Sequence, residues 1–353
     1  MLKTIENRAR RLVLRGLVAA LGRPAPPLPA RWDDRPYRVL FVRDDGIGDF
    51  ITSIEVIRAI AESSPTVTVD VLASPQNAPV ARTLPFVREV IVHKRGFLLR
   101  SASVWRRLRR QRYDAVVDGR VAVRNVNMHT TAILLATRAP WRIGLAGRGN
   151  DGVYSVRIPE LPLAHWTDQV VALASPFGIP PESRDWRPRL PLSPAARAEA
   201  EGSWDAIGTG RPRVLVNLSV GHPERWWPPE NYKPVLAALR SRRPDATVMI
   251  VGMPTEMDLA RDVAKAAKGQ ALLLSLQQVF AVVATADLLI SPDTSVTHAA
   301  SAFETPTLTL QRQGTEMWTP YKTPGRTAFS DDPRRIRDMP PERVIAVLES
   351  LLP

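Results

Sequence analysis

Residues 288–300, LLISPDTSVTHAA, show most directly how this chain is built. An apolar run short enough for a buried strand ends at a Ser-Pro pair, and helix-starting residues follow before small apolar residues resume at helical spacing. This order predicts a strand, a sharp turn and a helix. Backbone N–H groups at the start of a helix have no partner within it, so those of Thr294, Ser295 and Val296 are expected to attract an anion, above all a phosphate.

An ordinary capped helix in an α/β domain explains the same residues. In that interpretation Asp293 is the N-cap, whose carboxylate accepts a hydrogen bond from the first turn, and His298 is a packed side chain. The stretch by itself favours neither interpretation, so the rest of the chain has to distinguish them.

The bulk composition fits a soluble globular protein with an anionic partner. The chain has 353 residues, 44% of them hydrophobic, and a mean hydropathy of −0.12, so it is long enough for two domains with separate cores. Its formal net charge of +13 favours nucleic acid, an anionic membrane surface or a phosphorylated substrate as the partner. The absence of cysteine excludes disulfides and thiolate chemistry and fits a cytoplasmic protein. No Asp-x-Asp, His-Glu-x-x-His or closely spaced histidine pair indicates a metal site.

Strand-like and helix-like segments alternate in two separate series, which predicts an α/β protein with parallel sheets covered by helices. We place the first series in a domain at 31–195 and the second in a domain at 196–353. A basic helix and a proline-rich linker occupy 1–30. The expected strands are 38–42, 67–72, 89–93 and 115–118 in the first domain and 213–218, 247–251, 271–274, 288–291 and 307–310 in the second.

Two basic segments have open roles. Residues 1–22 predict an amphipathic helix that lies on a membrane surface or packs on the domain. Arginines interrupt each of its apolar runs, so it resembles neither a signal peptide nor a spanning helix. The densest basic cluster comprises Arg100, Arg106, Arg107, Arg109, Arg110 and Arg112. It is interpreted first as a solvated helix face and second as a contact for an anionic acceptor or lipid headgroups.

The first candidate for chemistry follows the first expected strand. Gly46 and Gly48 form a two-glycine turn that lets another molecule approach the backbone, although the full G-x-G-x-x-G dinucleotide pattern is absent. Asp49 lies in the first turn of the next helix, at the strand end where open α/β sheets place their ligands. Its carboxylate could act as a general base on an acceptor hydroxyl. Favourable placement near the positive end of the helix dipole is the alternative explanation.

Two further strand ends in the second domain carry candidate ligand-binding residues. Arg225 follows the strand at 213–218 and could hold a phosphate through two parallel N–H bonds, which a lysine cannot do. Its loop could equally be a surface loop whose tryptophans fill a gap between domains. Glu256 follows the strand at 247–251 and could accept hydrogen bonds from ribose hydroxyls, with Met253 as part of the lining for a base.

Residues 38–95 and 213–321 resemble glycosyltransferase family 9, the family of ADP-heptose:lipopolysaccharide heptosyltransferases. The matching segments occur in family order in both domains, which makes the resemblance more specific than any single motif. They are RVLFVRDDGIGDFITSIEVIRAI from 38, RVLVNLSVGHPERWWPPENY from 213, VGMPTE from 251 and LLISPDTSVTHAASAFETPTLTL from 288. The resemblance implies the GT-B architecture, in which two Rossmann-like domains face a central cleft. It places the acceptor on the N-terminal side and the nucleotide sugar on the C-terminal side.

The resemblance also implies roles for individual residues. Asp49 matches the family's general base and Arg225 its phosphate-contacting basic residue, while Gly46 and Gly48 belong to the acceptor-side loop. Glu256 matches the ribose-contacting acid. The residues that match the motif for the sugar diphosphate are Asp293, Thr294 and His298, with Ser295 and Val296 between them. No metal or other cofactor is required in the family, and the co-substrate is a nucleotide sugar.

Two departures from the family pattern concern the donor. Ser295 stands where glycine is usual, which adds a side chain where backbone N–H groups should approach phosphate. Arg225 stands where lysine is frequent and keeps the charge with a different reach. A family member that uses another activated sugar is therefore one alternative to a heptosyltransferase. A non-catalytic protein that binds nucleic acid or membrane through its arginines is another, but the sequence has no recognisable nucleic-acid motif and few aromatic residues.

The resulting hypothesis is an inverting, metal-independent transfer of heptose from ADP-heptose to a lipopolysaccharide core or a related glycan. The partners expected are the nucleotide sugar and an anionic glycolipid or glycan acceptor, with no nucleic acid and with the protein as a monomer. The expected location is the cytoplasm, with contact to the inner face of the cytoplasmic membrane compatible with the basic charge.

Overall fold

The chain is divided into two structural units, Met1–Trp186 and Arg187–Pro353. The structure, a computed structural model, describes residues 2–22, 24–94, 102–120, 126, 128–147, 149, 151–161 and 165–351. Each unit contains a six-stranded sheet whose neighbouring strands all run parallel.

The N-terminal unit is built on a sheet in the order β3-β2-β1-β4-β5-β6. The strands are β1 Tyr37–Arg43, β2 Val67–Ala73, β3 Val87–Val92, β4 Ala115–Asp118, β5 Trp141–Leu145 and β6 Val156–Ile158. The helices are α1 Leu2–Leu21, α2 Ile47–Ile51, α3 Ile54–Glu62, α4 Ala78–Ala81, α5 Ala102–Arg110, α6 Met128–Ala136 and α7 Trp166–Val171. Leu40 and Val42 of β1 are fully buried in one core cluster with Leu108 of α5 and Ile133 of α6.

The C-terminal unit repeats this arrangement in the order β12-β11-β10-β7-β8-β9. Its strands are β7 Arg213–Asn217, β8 Thr247–Val251, β9 Gln270–Leu272, β10 Leu288–Pro292, β11 Thr307–Arg312 and β12 Gly325–Ser330. Its helices are α8 Pro194–Ile207, α9 Pro229–Arg242, α10 Met257–Ala266, α11 Leu276–Ala284, α12 Ser295–Phe303 and α13 Pro341–Glu349. Val214 and Val216 belong to one core cluster and Leu215 between them to another, so β7 is buried on both faces.

Both sheets have the strand order of the Rossmann fold. In the N-terminal unit the chain direction through the sheet reverses between β1 and β4, and in the C-terminal unit it reverses between β7 and β10. Open α/β sheets bind their ligands in the crevice at such a reversal, outside the carboxyl ends of the strands. The turns that follow β1, β4, β7 and β10 are therefore where the fold itself predicts the chemistry.

Both basic helices pack against the core through a buried leucine. Helix α1 packs through Leu14, which is 3% exposed, and leaves Leu12 and Val13 more than half exposed. In α5 Leu108 is buried and Arg107 is paired with Glu89, as expected for a helix with one solvated face. Arg100 lies outside the described residues, and so do the side chains of 1–11. No helix among the described residues is long and apolar enough to cross a membrane.

The sequence missed three strands that the structure contains. None of the strands expected from the sequence covers β5, β6 or β12. β6 has three residues, and β12 has one exposed, three half-buried and two buried positions; both strands lie at sheet edges. Neither β6 nor β12 has the continuous apolar run by which the other strands were recognised.

Candidate active site

Asp49 lies at the carboxyl end of β1, in the first turn of α2. The turn between them is held by a hydrogen bond from the Phe50 N–H to the Gly46 carbonyl at 3.0 Å. Gly46 has φ −74° and ψ 159°, which any residue can adopt, so its lack of a side chain serves another purpose. A Cβ at this position would lie 3.0 Å from Asp49 Oδ2. Gly46 therefore leaves room for the Asp49 carboxylate, which is 27% exposed and accessible to a substrate.

Arg43, the last residue of β1, stabilises this turn through hydrogen bonds of its buried side chain. Its side chain is 1% exposed, and its Nε donates to the Asp49 carbonyl at 2.8 Å. Nη2 lies 3.3 Å from Asp49 Oδ1, and Nη1 donates to the carbonyl of Gly119 after β4. Arg43 thus connects the strand ends on either side of the reversal and places a positive charge beside the candidate base.

Asp45 is a second carboxylate on the same guanidinium. Its Oδ2 lies 3.4 Å from Arg43 Nη1, and its Oδ1 is buried without a hydrogen bond in the described part of the chain. Burial raises the pKa of Asp45 to about 6, with Arg43 opposing and the negative charge of Asp49 adding to the increase. Sequence reasoning singled out Asp49 and missed both Arg43 and Asp45, although all three belong to one quoted motif.

A second polar cluster lies beside this turn and was also missed. Asp44 is buried, and its Oδ2 is 3.3 Å from His93 Nδ1 and 3.3 Å from His129 Nε2. The two imidazole rings are stacked, with centroids 4.8 Å apart. Arg120, after β4, lies with Nη1 3.1 Å from the other oxygen of Asp44. These residues come from four separate segments, so no local spacing in the sequence could reveal them.

In the C-terminal unit, the turn after β10 differs in detail from the sequence interpretation. The N-cap of α12 is Thr294 and not Asp293: Thr294 Oγ1 accepts a hydrogen bond from the Val296 N–H at 3.3 Å. The Val296 N–H is therefore already used within the helix. Ser295, the first residue of α12, is half-buried, whereas Val296 and His298 are buried against the unit.

Arg225 and Asp293, which the sequence assigned to one phosphate site, do meet. Arg225 Nη1 donates to the Asp293 carbonyl at 2.9 Å and lies 3.4 Å from its Oδ2. The Arg225 side chain is 31% exposed, and its Nε has no hydrogen-bond partner within the described residues. A partly exposed guanidinium fixed beside a helix start is suited to binding a phosphate.

Asn217, at the end of β7, ties this turn to the neighbouring strand. Its amide donates to Ser291 Oγ at 2.9 Å and to Thr294 Oγ1 at 3.3 Å. Its carbonyl oxygen accepts from the Ser219 hydroxyl at 2.6 Å. A buried amide that bridges two strand ends fixes the position of the α12 cap. Sequence reasoning treated Asn217 only as part of a strand.

Glu256 lies after β8 and is engaged by its own turn. Its Oε2 accepts from the Met253 N–H at 2.7 Å, and a Cβ on Gly252 would lie 3.2 Å from the same oxygen. Burial raises the pKa of Glu256, opposed by the hydrogen bond from Met253. Met253 itself is 53% exposed. The described contacts do not join Glu256 or Met253 to Arg225, so this pair forms a separate part of the candidate donor site.

Comparison with known proteins gives the chain a family. The sequence model of "Glycosyltransferase family 9 (heptosyltransferase)" matches residues 101–334. The chain belongs to glycosyltransferase family 9. Arg225, Glu256 and Asp293 lie inside the matched region, and Asp49 precedes it. The protein is accordingly a glycosyltransferase, as the sequence predicted.

Individual relatives in this family are distant in sequence and close in fold. The lipopolysaccharide core heptosyltransferase OpsX of Haemophilus influenzae is 22% identical over 307 residues, which cover 84% of this chain and 82% of the relative. A family 9 glycosyltransferase from Veillonella parvula superposes with a TM-score of 0.72 at 17% identity, over 93% of this chain and 99% of the other. The ADP-heptose lps heptosyltransferase II of E. coli gives 0.70 at 20% identity, over 89% and 98%. The predicted α/β, GT-B architecture with two Rossmann-like units is confirmed.

Proposed function

We propose that this family 9 enzyme transfers a heptose from ADP-heptose to a lipopolysaccharide core or a related glycan acceptor, with inversion at the anomeric carbon. The observation that carries the proposal is the pairing of Arg225 with Asp293 at the start of α12, at the reversal point of the C-terminal sheet. Support for the donor comes from the printed names of relatives, one a lipopolysaccharide core heptosyltransferase and one an ADP-heptose heptosyltransferase.

In the proposed mechanism Asp49 accepts the proton of the acceptor hydroxyl as that oxygen attacks the anomeric carbon. Arg43 is already hydrogen-bonded to the Asp49 backbone and carboxylate, so it orients the base before the substrate arrives. The C–O bond to the diphosphate breaks on the opposite face of the sugar, which is the reason for inversion. Gly46 and Gly48 leave the acceptor-side loop open to the incoming sugar.

On the donor side, negative charge develops on the departing diphosphate. Arg225 and the N–H groups of Thr294 and Ser295 would stabilise that charge, since donors fixed in advance are most effective where charge appears in the transition state. His298 would complete the diphosphate site from within α12. Glu256 would accept hydrogen bonds from the ribose, and the exposed Met253 would line the base. No metal ion takes part in this transfer.

We infer the acceptor class and the location of the protein from its positive net charge. A net charge of +13 suits an enzyme that acts on a phosphorylated glycolipid, because each nearby Lys or Arg contributes roughly 1 kcal/mol of attraction to an anionic membrane surface. We place the protein in the cytoplasm at the inner face of the membrane, as a monomer whose partners do not include nucleic acid.

The general base is tested by Asp49→Asn in an assay with ADP-heptose and acceptor. Loss of a general base lowers turnover by about 10²- to 10⁴-fold, while binding of ADP to the other unit stays unchanged. Asp258→Asn is the matched control, because Asp258 also lies in the first turn of a helix, α10, and is exposed. Equal turnover in the two variants would mean that Asp49 is only a favourable charge at a helix start.

The donor is tested by thermal unfolding with ADP, GDP, UDP and CDP. A ligand that binds the folded state alone raises the apparent melting temperature by mass action, so ADP should give the largest increase. Stabilisation by UDP without any by ADP would exclude ADP-heptose and favour another nucleotide sugar as the donor. Ser295, which stands where glycine is usual in the family, would then be the first residue to examine as the cause of that change.

A further inference from the structure

Helices α1 and α5, the two basic helices of the N-terminal unit, lie on the same face of its sheet. We propose that the outer surface of these two helices binds an anionic lipid bilayer. The arginines would lie among the lipid headgroups, and the exposed apolar side chains of α1 would enter the boundary with the acyl chains. The inference rests on the proposed function, which brings the enzyme to a membrane, and adds which surface makes the contact.

The shared face follows from packing on one core cluster. Leu40 and Val42 of β1 point to the same side of the sheet, because side chains two residues apart in a strand share a face. Both helices pack on the cluster that contains these two residues, and both contact α6. The packed residues are Leu17 and Val18 of α1 and Val104 and Leu108 of α5. The two helices therefore belong to one layer of the unit, and their outer sides point away from the same sheet face.

Helix α1 is apolar on both its inner and its outer side in its second half. Leu14 is 3% exposed on the inner side, whereas Leu12 and Val13 are 67% and 52% exposed. At about 100° per residue, the outer side is continued by three exposed residues without charge, Gly16, Ala19 and Ala20. The outer side of a helix that packs on a soluble domain is normally charged or polar. An apolar outer side indicates a second apolar environment outside the protein.

The charge of this surface complements an anionic partner. Helix α1 carries five basic side chains and one acidic one, and residues 102–113 carry five arginines and no acidic side chain. Arg109, Arg110 and Arg112 are exposed, and Arg107 is paired with Glu89. Positive charges concentrated on one surface attract anions and repel one another, so a layer of anionic headgroups lowers their electrostatic free energy.

The combination of exposed apolar and basic residues favours a bilayer over other partners. Nucleic acid would neutralise the arginines but would leave Leu12 and Val13 in water. A second copy of this chain would cover Leu12 and Val13 but would bring two basic surfaces together, which is unfavourable. A bilayer surface satisfies both features, as it does for amphipathic helices that lie in the headgroup region.

Sedimentation with lipid vesicles tests the electrostatic part on the full-length protein. The protein should bind vesicles of phosphatidylcholine with phosphatidylglycerol, bind pure phosphatidylcholine much more weakly, and dissociate as the salt concentration rises. Arg109→Glu/Arg110→Glu should bind at least about 25-fold more weakly, because each arginine near an anionic surface contributes about fivefold. Arg334→Glu/Arg335→Glu, which changes two exposed arginines of the C-terminal unit, should keep most of the binding. No binding by the wild type, or an equal loss in both variants, would overturn the proposal.

A fluorescent label tests whether α1 enters the bilayer. The chain has no cysteine, so Leu12→Cys can be labelled at one position with an environment-sensitive fluorophore. Its emission should shift to shorter wavelength with anionic vesicles, while that of the same label in Leu259→Cys, at an exposed leucine of α10, should not. No shift for Leu12→Cys would contradict the proposal. A shift that appears without vesicles as the protein concentration rises would also contradict it, because a second copy would then cover α1. These measurements use neither donor nor acceptor, so their outcome is separate from that of the sugar-transfer assay.

Discussion

At the scale of single residues, Arg43 governs the acceptor-side turn. It is buried, it binds the backbone of Asp49 and it shares its charge between the carboxylates of Asp45 and Asp49. A buried arginine with such partners costs desolvation energy that only these contacts offset. The turn is therefore a preorganised unit, and small changes in it should affect the position of Asp49 more than the stability of the fold.

Gly46→Ala tests this preorganisation. The backbone of Gly46 suits alanine, but the new Cβ would stand 3.0 Å from Asp49 Oδ2 and displace the carboxylate by a few tenths of an ångström. Turnover should fall several-fold, up to about tenfold, with little change in melting temperature, because catalysis is sensitive to small misplacements. Gly152→Ala is the control, since a Cβ there meets nothing within 4 Å. Unchanged turnover in Gly46→Ala would show that the carboxylate need not keep this position.

Arg225→Ala tests the phosphate site by binding alone. Loss of a charged hydrogen-bond donor is worth about 1.5–3 kcal/mol, so ADP should bind roughly 10- to 100-fold more weakly in calorimetry. The melting temperature without ligand should change little, because the side chain is partly exposed. Arg242→Ala, which removes an exposed arginine paired with Glu349 on the same unit, is the matched control. If both variants bind ADP like the wild type, the assignment of Arg225 is wrong.

Residue-level prediction from the sequence brought together residues that share a motif or a known family pattern, and their proposed roles stay predictions. Arg225 and Asp293 were assigned to one site and lie in contact. Asp44, His93 and His129 were not recognised, because contact between them depends on the neighbouring positions of β1, β3 and α6 in three dimensions. The interpretation with Asp293 as the N-cap is wrong by one residue: Thr294 and Asp293 both have capping side chains, and only the backbone conformation separates them.

At the scale of secondary structure elements, β2 contains Asp70, whose carboxylate is buried at a cost in desolvation free energy. Asp70 accepts a hydrogen bond from the Tyr113 hydroxyl at 2.7 Å and another from Arg88, while its Oδ1 has no partner within the described residues. Burial raises the pKa of Asp70 in spite of these two partners. The native protein therefore keeps this proton to a higher pH than the unfolded chain does.

Asp70→Asn should show in which direction Asp70 makes the free energy of unfolding depend on pH. As the pH rises from the ordinary aspartate value of 3.8, the unfolded chain releases its proton first, so the wild-type free energy of unfolding falls until the native carboxyl also ionises. The variant lacks this loss, and the wild type should become less stable relative to it across that window, then level off. Urea unfolding at several pH values measures the difference, with the exposed Asp258→Asn as control. If the wild type gains stability relative to the variant as the pH rises, burial does not raise the pKa of Asp70.

The strands recognised from sequence were recognised by apolar runs, whether they lie inside a sheet or, like β3 and β9, at its edge. The strand predicted at 247–251 coincides with β8, and that at 115–118 with β4. Both are buried along their whole length and read as continuous apolar runs. β12, GRTAFS, has at most two apolar side chains in succession, and β5 contains a glycine and an arginine, so neither strand has a continuous apolar run.

At the scale of the whole molecule, each unit has its own core and its own reversal point. Arg225, Glu256 and Asp293 all belong to the C-terminal unit, whose buried cluster draws on β7, β8, β10 and β11. Donor binding should therefore need nothing from the N-terminal unit. The fragment Arg187–Pro353, expressed alone, should fold and bind ADP within about tenfold of the full chain while transferring no sugar. Circular dichroism and calorimetry check this, and an unfolded or non-binding fragment would show that the units depend on each other.

Because the two sheets have the same strand order and each is formed by one half of the chain, the two halves of the gene can be exchanged separately. Each sheet is completed by a continuous half of the chain, so no strand is borrowed across the junction between Trp186 and Arg187. A recombination event at that junction would exchange one half between related genes without changing the strand order of either sheet. Chimeras cut there would keep both sheets intact, so one half could be exchanged with that of a relative without changing the other.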